Sequence, residues 1–255
     1  MNIIEIMFKW YTMNDEEKKN YMRSLTFKER KKLLYAINIL KTDKNWADII
    51  KQYKKIMNSK NIMILDVETT GFSYSSRIVQ FSYSICDEDG TQHEIYDSVV
   101  KQEKDIVIPP ETIKIHGITD EIAATQGQKL SKIVNIFENK LKTITKIIGH
   151  NINFDINIMK NELTRINKLE CLDHLNKIKT YCTMKNTKYA LKLLNTKGTI
   201  KNPKLSELYN YLFNTNITNE HNSKYDVLNT SKCYFEFIKR EKEIINMVNC
   251  MNDIM

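Results

Sequence analysis

Three stretches of the chain gather side chains that can bind cations or move protons. The first is "NIMILDVETTGF" (residues 61–72), an apolar run that ends in Asp66 and Glu68. In a β-strand, positions i and i+2 share one face, so these carboxylates stand side by side and repel each other. The pair is costly unless a cation lies between the two acids or one of them takes up a proton. Taken alone, a D-x-E triplet is a common arrangement and reads more readily as a solvated strand end than as a metal site. "TTG" then predicts a turn, with Gly71 free to take backbone angles that other residues avoid.

The second stretch, "IIGHNINFD", puts Asp155 at the start of a helix that follows a buried strand. The ends of central strands are where α/β folds build sites. By itself, Asp155 reads as an ordinary acid in a first helical turn. The third, "EHNSKYDVLNTSKCYFEF", sets His221 five residues before Asp226, with the acid near the start of the final helix. Alone, His221 reads as a solvated loop histidine. Taken together, the three stretches hold four carboxylates and one imidazole, with no thiol. Such a donor set suits Mg²⁺ or Mn²⁺ rather than zinc. Acids around two ions about 3.5–4 Å apart support in-line attack on phosphodiesters. An imidazole that titrates near neutrality can take the proton of the attacking water.

Elements that could position these groups follow from the patterning. The chain has 255 residues, 42% apolar and 27% charged, enough for one large domain or a domain plus a small module. "NIMILDV", "RIVQFSYSIC" and "HEIYDSVV" predict three strands in a meander. Then come a helix over "SKIVNIFENKL", a strand at "KIIGHN", a helix over "FDINIMKNEL" and a strand at "IKTYCT". Helices over "KLSELYNYLF" and "KYDVLNTSKCYFEFIKR" close the series. A meander followed by alternating strands and helices predicts an α/β fold with a mixed sheet. Upstream, Asn14 caps a first helix, Thr26 and Glu29 open a second, and "NWADIIKQYKKIM" predicts a third. The expected domains are a basic helical module over 1–58, a catalytic domain over 59–242 and a helical tail over 243–255.

Charge and cysteine usage narrow the function. Residues 1–60 carry 14 Lys/Arg and 7 Asp/Glu, so nearly all of the net charge of +8 lies there. A basic segment of this kind favours polyanions such as nucleic acid. Lys outnumbers Arg 34 to 5, so a compositional bias accounts for the same charge. Five scattered cysteines without a C-x-x-C pair exclude a disulfide framework and a thiolate zinc site. Without an 18-residue apolar run or a basic n-region, the chain is expected to be soluble and intracellular, cytoplasmic or nuclear, away from membranes.

"DVETTG", "IHGIT", "GHNINFD" and "HNSKYD", in this order over about residues 60–240, resemble the motifs of the DEDDh 3′–5′ exonucleases, in the branch of the proofreading epsilon subunit of bacterial DNA polymerase III. The tyrosine variant of that family has Tyr where this chain has Asn222, so the histidine type is indicated. Where the family often has Ala, this chain has Ser223, a change the motif should tolerate. The resemblance implies an RNase H-like mixed sheet flanked by helices. It also implies two Mg²⁺ or Mn²⁺ ions, with Asp66 bridging both, Glu68 and Asp155 completing their shells and Asp226 holding the nucleophile-side ion. His221 would act as general base, and 5′-monophosphates would leave one at a time from a 3′ end. Thr69, Thr70, Gly71 and Phe72 would meet the terminal nucleotide, His116 would line the cleft or else serve as a structural turn histidine, and Asn151 would orient substrate or backbone near Asp155. The implied partner is single-stranded or frayed DNA. RNA and a catalytically silent nucleic-acid adaptor are the alternatives, and a polymerase or other protein is a further candidate partner for residues 1–58.

Overall fold

The computed structural model describes residues 10, 13–42, 61–73, 75–217 and 221–252. The chain divides into two units, Met1–Ser59 and Lys60–Met255. In the first, α1 (Asp15–Ser24) opens with a reciprocal capping box: the Glu17 N–H donates to Asn14 Oδ1 and the Asn14 N–H to Glu17 Oε2. Thr26 and Glu29 repeat the exchange at the start of α2 (Phe27–Thr42). The Arg30 guanidinium donates to the carbonyls of Leu25 and Arg23, meeting the unpaired end of α1. The third expected helix, over residues 45–57, lies outside the described residues.

In the second unit, β1 (Asn61–Thr69), β2 (Ile78–Cys86) and β3 (Gln92–Val99) form the expected antiparallel meander. Strands β4 (Ile144–Gly149) and β5 (Lys179–Cys182) add in parallel on the other side of β1. The five strands lie in the order β3-β2-β1-β4-β5, the mixed sheet of an RNase H-like fold. Strand alternation divides β1 between two cores. Met63, Leu65 and Val67 pack with α5 (Leu130–Leu141) and α6 (Ile152–Arg165), through Phe137, Ile156, Met159 and their neighbours. Ile62 and Ile64 instead pack with Val227 and Tyr234 of the last helix, α10 (Ser223–Asn252). Helix α9 (Leu205–Phe213) packs Leu208 and Leu212 against Cys233 and Phe237 of α10.

Four helices were absent from the sequence reading: α3 (Pro110–His116), α4 (Asp120–Gln126), α7 (Leu169–Lys177) and α8 (Thr183–Leu191). None exceeds nine residues, so too few turns exist for a 3.6-residue apolar period to stand out. Helix α3 starts with Pro110, whose fixed φ suits a first turn, and ends on Gly117 in the left-handed region at φ 76°. Helix α10 continues to Asn252, past the point where the sequence reading placed a separate tail. Among the described residues, no helix is long and apolar enough to cross a membrane.

A buried ion cluster fixes the start of β2. Glu162 of α6 is 2% exposed, and its Oε1 accepts from the Arg77 Nε and the Ile78 N–H, each at 3.1 Å. Its Oε2 accepts from the Arg165 Nε at 2.8 Å, and Glu103 pairs with both arginines from the outside. Removing one member of a buried pair strands the others, at a cost of about 3–5 kcal/mol. Glu162→Ala is therefore expected to lower the unfolding free energy by roughly that amount in urea titrations. A loss below about 1 kcal/mol would mean that solvent already screens the cluster.

Candidate active site

The row Ile62, Ile64, Asp66, Glu68 runs along the α10 face of β1, apolar where the helix covers the strand and acidic where the helix begins. Asp66 and Glu68 are both half-buried, as alternation requires. Asp226, in the first turn of α10, completes the group: carboxylate oxygens of Asp66, Glu68 and Asp226 all lie within 4.8 Å of one another. His221 precedes the helix in the left-handed region at φ 63°, and its backbone N–H donates to Asp226 Oδ2 at 3.1 Å. Asp155 reaches the same strand end from the opposite face of the sheet, at the start of α6. It is 3% exposed, and its Oδ1 accepts from the Val67 N–H at 3.1 Å. All five residues line one cleft of about 310 Å³. Asp155 stands outside the tight group of three because one of its oxygens is committed to the β1 backbone.

The remaining residues singled out from the sequence divide. Thr69, Gly71, Phe72, His116 and Asn151 line the cleft, whereas Thr70 does not. The Thr70 hydroxyl accepts from the Arg77 N–H at 2.9 Å and closes the turn that carries Phe72. Gly71 has φ 159°, close to extended, so only the edge of a glycine's backbone freedom is used there. Thr69 Oγ1 donates to the Gly71 carbonyl. Phe72 is 82% exposed, with its ring centroid 6.1 Å from that of Phe154. His116 is buried; its Nδ1 accepts from the Ile118 N–H, and its Nε2 has no hydrogen-bond partner. Asn151 occupies the left-handed region at φ 70°, which Asn tolerates better than most residues.

Five cleft residues were not singled out from the sequence, Val67, Thr112, Ile115, His150 and Phe154, and the last two make contacts that shape the site. Phe154, beside Asp155, packs near Phe72. His150 Nε2 donates to the Pro203 carbonyl at 3.0 Å, so its Nδ1 must accept from the Thr183 hydroxyl at 2.9 Å. Burial lowers the His150 pKa to about 4, against the opposing pull of the Pro203 carbonyl, so the ring is a neutral strut between loops. Its only signal in the sequence was adjacency to Asn151. Gly149, just before it, permits the close approach: a Cβ there would lie 2.9 Å from the Leu65 carbonyl oxygen.

Electrostatics at the cleft test whether cations fit. Burial, then Asp155, Asp226 and Glu68 in turn, raise the Asp66 pKa well above the usual carboxylate range. Burial followed by Asp226 brings Glu68 to about 7. Burial also drives Asp155 to about 8; the N–H groups of Val67 and of Asp155 itself oppose this, and Glu68 adds to it. Every donor is a carboxylate oxygen, and the arrangement resists ionisation until positive charge is supplied. This is the donor set for a hard divalent cation.

Linkage gives these shifts a sign. Folded-state values lie above unfolded ones, so the protons held by the fold stabilise it fully below about pH 4, and that stability is lost as pH rises through about 7 and 8. With chelator present, the melting temperature is expected to fall between about pH 5 and pH 8.5, and Mg²⁺ to restore it at the higher pH. Asp155→Asn is expected to raise the chelated protein's melting temperature at high pH by roughly 3 °C, the effect of about 1 kcal/mol in a domain of this size. A flat or rising profile in chelator would contradict the arrangement of charges.

Comparison with known proteins agrees with this architecture. Exonuclease I from Methylocaldum szegediense superimposes with a TM-score of 0.61 at 21% identity, over 74% of this chain and 43% of that one. E. coli Exonuclease I in complex with a dA16 oligonucleotide gives 0.62 at 20% identity, over 75% and 43%. The same enzyme with a 5cy-dT13 oligonucleotide gives 0.63 at 18%, over 76% and 44%. At these identities the likeness establishes the fold, and the chain spans less than half the length of those structures. No curated protein matches the chain. The family model for exonucleases, RNase_T, matches residues 63–234, which span the sheet, the cleft and most of the elements around them. The chain belongs to this exonuclease family of nucleic-acid hydrolases.

Proposed function

We propose that the protein is a divalent-metal-dependent 3′–5′ exonuclease of the DEDDh type, which trims single-stranded or frayed DNA ends and releases 5′-nucleoside monophosphates. The observation that carries this reading is the convergence of Asp66, Glu68 and Asp226 within 4.8 Å, in a cleft that also holds Asp155 and His221. Asp66, Glu68, Asp155 and Asp226 would hold two Mg²⁺ or Mn²⁺ ions, which supply electrostatic stabilisation of the charge that develops on the phosphate.

The chain's own groups carry the rest. The His221 imidazole accepts a proton from the attacking water. The water oxygen forms a bond to phosphorus, the bond from phosphorus to the 3′-oxygen breaks, and that oxygen leaves as the new 3′-hydroxyl after gaining a proton. Phe72, exposed beside Phe154, offers a stacking surface for the terminal base. His116, Thr69, Gly71 and Asn151 shape the wall against which the nucleotide lies. Thr70 acts at one remove, through the turn that it closes. The basic residues 1–58 hold the nucleic-acid backbone and raise affinity in a salt-dependent way.

Single strands of DNA and RNA, labelled at either end and incubated with Mg²⁺, Mn²⁺ or EDTA, test the reading. Stepwise shortening from the 3′ end, faster on DNA and absent in EDTA, is the expected result. Faster cleavage of RNA would transfer the site to that substrate, and binding without cleavage would make the protein an adaptor. Asp66→Ala is expected to abolish turnover, and His221→Ala to lower kcat by about 10²–10⁴-fold. Deleting residues 1–58 is expected to weaken binding of long strands and flatten its dependence on salt, while cleavage of short ones persists. Equal binding by the full-length and shortened chains would reassign those residues to a protein partner such as a polymerase.

A further inference from the structure

Across the sheet from the acids lies a ring of polar side chains. The β1–β2 register sets Asp66 opposite Ser82 and Glu68 opposite Gln80, and the β2–β3 register sets Ser82 opposite Asp97. Ser82 and Ser223 are fully buried, Gln80 is 3% exposed, and Asp97 lies at the surface. Ser223 opens α10, two residues after His221 and three before Asp226.

Proton counting gives the ring one direction. Ser82 Oγ and Gln80 Nε2 both donate to Asp97 Oδ1, at 2.7 and 2.8 Å. A carboxylate only accepts, so the single Ser82 proton is committed there. The Ser82–Ser223 contact of 2.5 Å must therefore be donated by Ser223. The Ser223 N–H also donates, to Gln80 Oε1 at 3.4 Å. Both donors of Ser223 thus enter a closed circuit that ends on Asp97, and α10 has one seating on β2 that satisfies every member.

Resting on the proposed reading of the cleft, we propose that Ser223 and Ser82 are positioning residues. Their buried hydroxyl pair, oriented by Gln80 and Asp97, sets the start of α10 so that Asp226 meets Asp66 and Glu68. The motif's more usual alanine at residue 223 would leave the Ser82 oxygen without a donor in this chain. A buried hydroxyl that loses its partner on the helix costs enough to shift the helix start or loosen it. Replacing both hydroxymethyl side chains by methyl groups removes the demand, because Asp97 is exposed and finds water.

A double-mutant cycle on the full chain tests this, with Mn²⁺ affinity read by electron paramagnetic resonance and kcat and KM read on a short oligonucleotide. Ser82→Ala and Ser223→Ala are each expected to weaken Mn²⁺ binding and lower kcat by about five- to tenfold, with KM within about twofold of wild type. Circular dichroism at the assay temperature shows whether each variant is folded, and either single variant suffices to carry the test. The double variant is expected to recover most of the loss. Wild-type Mn²⁺ affinity and kcat in a folded single variant would overturn the proposal, as would losses that simply add in the double variant. A wild-type protein that binds no Mn²⁺ would overturn the reading of the cleft, and the positioning role with it.

Discussion

Strand alternation on β1 is the constraint from which the rest of the structure follows. Ile62 and Ile64 place one face of the strand under α10, and the same two-residue period carries Asp66 and Glu68 onto that face. Two negative charges therefore sit where burial penalises them, and Asp226 adds a third from the helix above. Nothing in a stability argument favours such an arrangement. It persists because the two cores on either side of β1 hold the strand whatever its last residues are. The fold tolerates the strain locally, as sites built for chemistry commonly do.

Convergence at the strand end comes from both faces of the sheet. Helix α6 delivers Asp155 from beneath, with the Val67 N–H receiving its carboxylate and Glu162 anchoring the same helix to the start of β2. Helix α10 delivers Asp226 and His221 from above, with Ser223 seated on Ser82 and Gln80. Gly149 and the neutral His150 let the β4 end approach closely enough for both. Each acid is thus held by an element whose own packing lies away from the cleft. The protein can supply a preformed pocket of carboxyl groups without relying on a ligand to assemble it.

The parts of the fold legible in the sequence were those with a long period. The continuous apolar run of β1, and the long apolar faces of α5 and α10, declare themselves. The short helices α3, α4, α7 and α8 did not, since fewer than three turns leave no repeat to count. The acids of the cleft were legible only in combination, because each taken alone reads as an ordinary strand end or helix start. His150 was not, because its role rests on Thr183 and Pro203, distant in sequence. Ser223 looked like a harmless departure from a motif, and only the β2 register shows what it touches. Thr70 lies off the cleft wall, in the turn that its hydroxyl closes, a placement that local turn chemistry does not reveal.

The central claim is that the repulsion among these carboxylates is matched to divalent cations. Anomalous diffraction from crystals of the protein soaked in Mn²⁺ would test it most directly. A strong peak enclosed by the carboxylates of Asp66, Glu68 and Asp226 is the predicted result. Well-ordered crystals with Mn²⁺ bound elsewhere and no peak among those three acids would contradict the account.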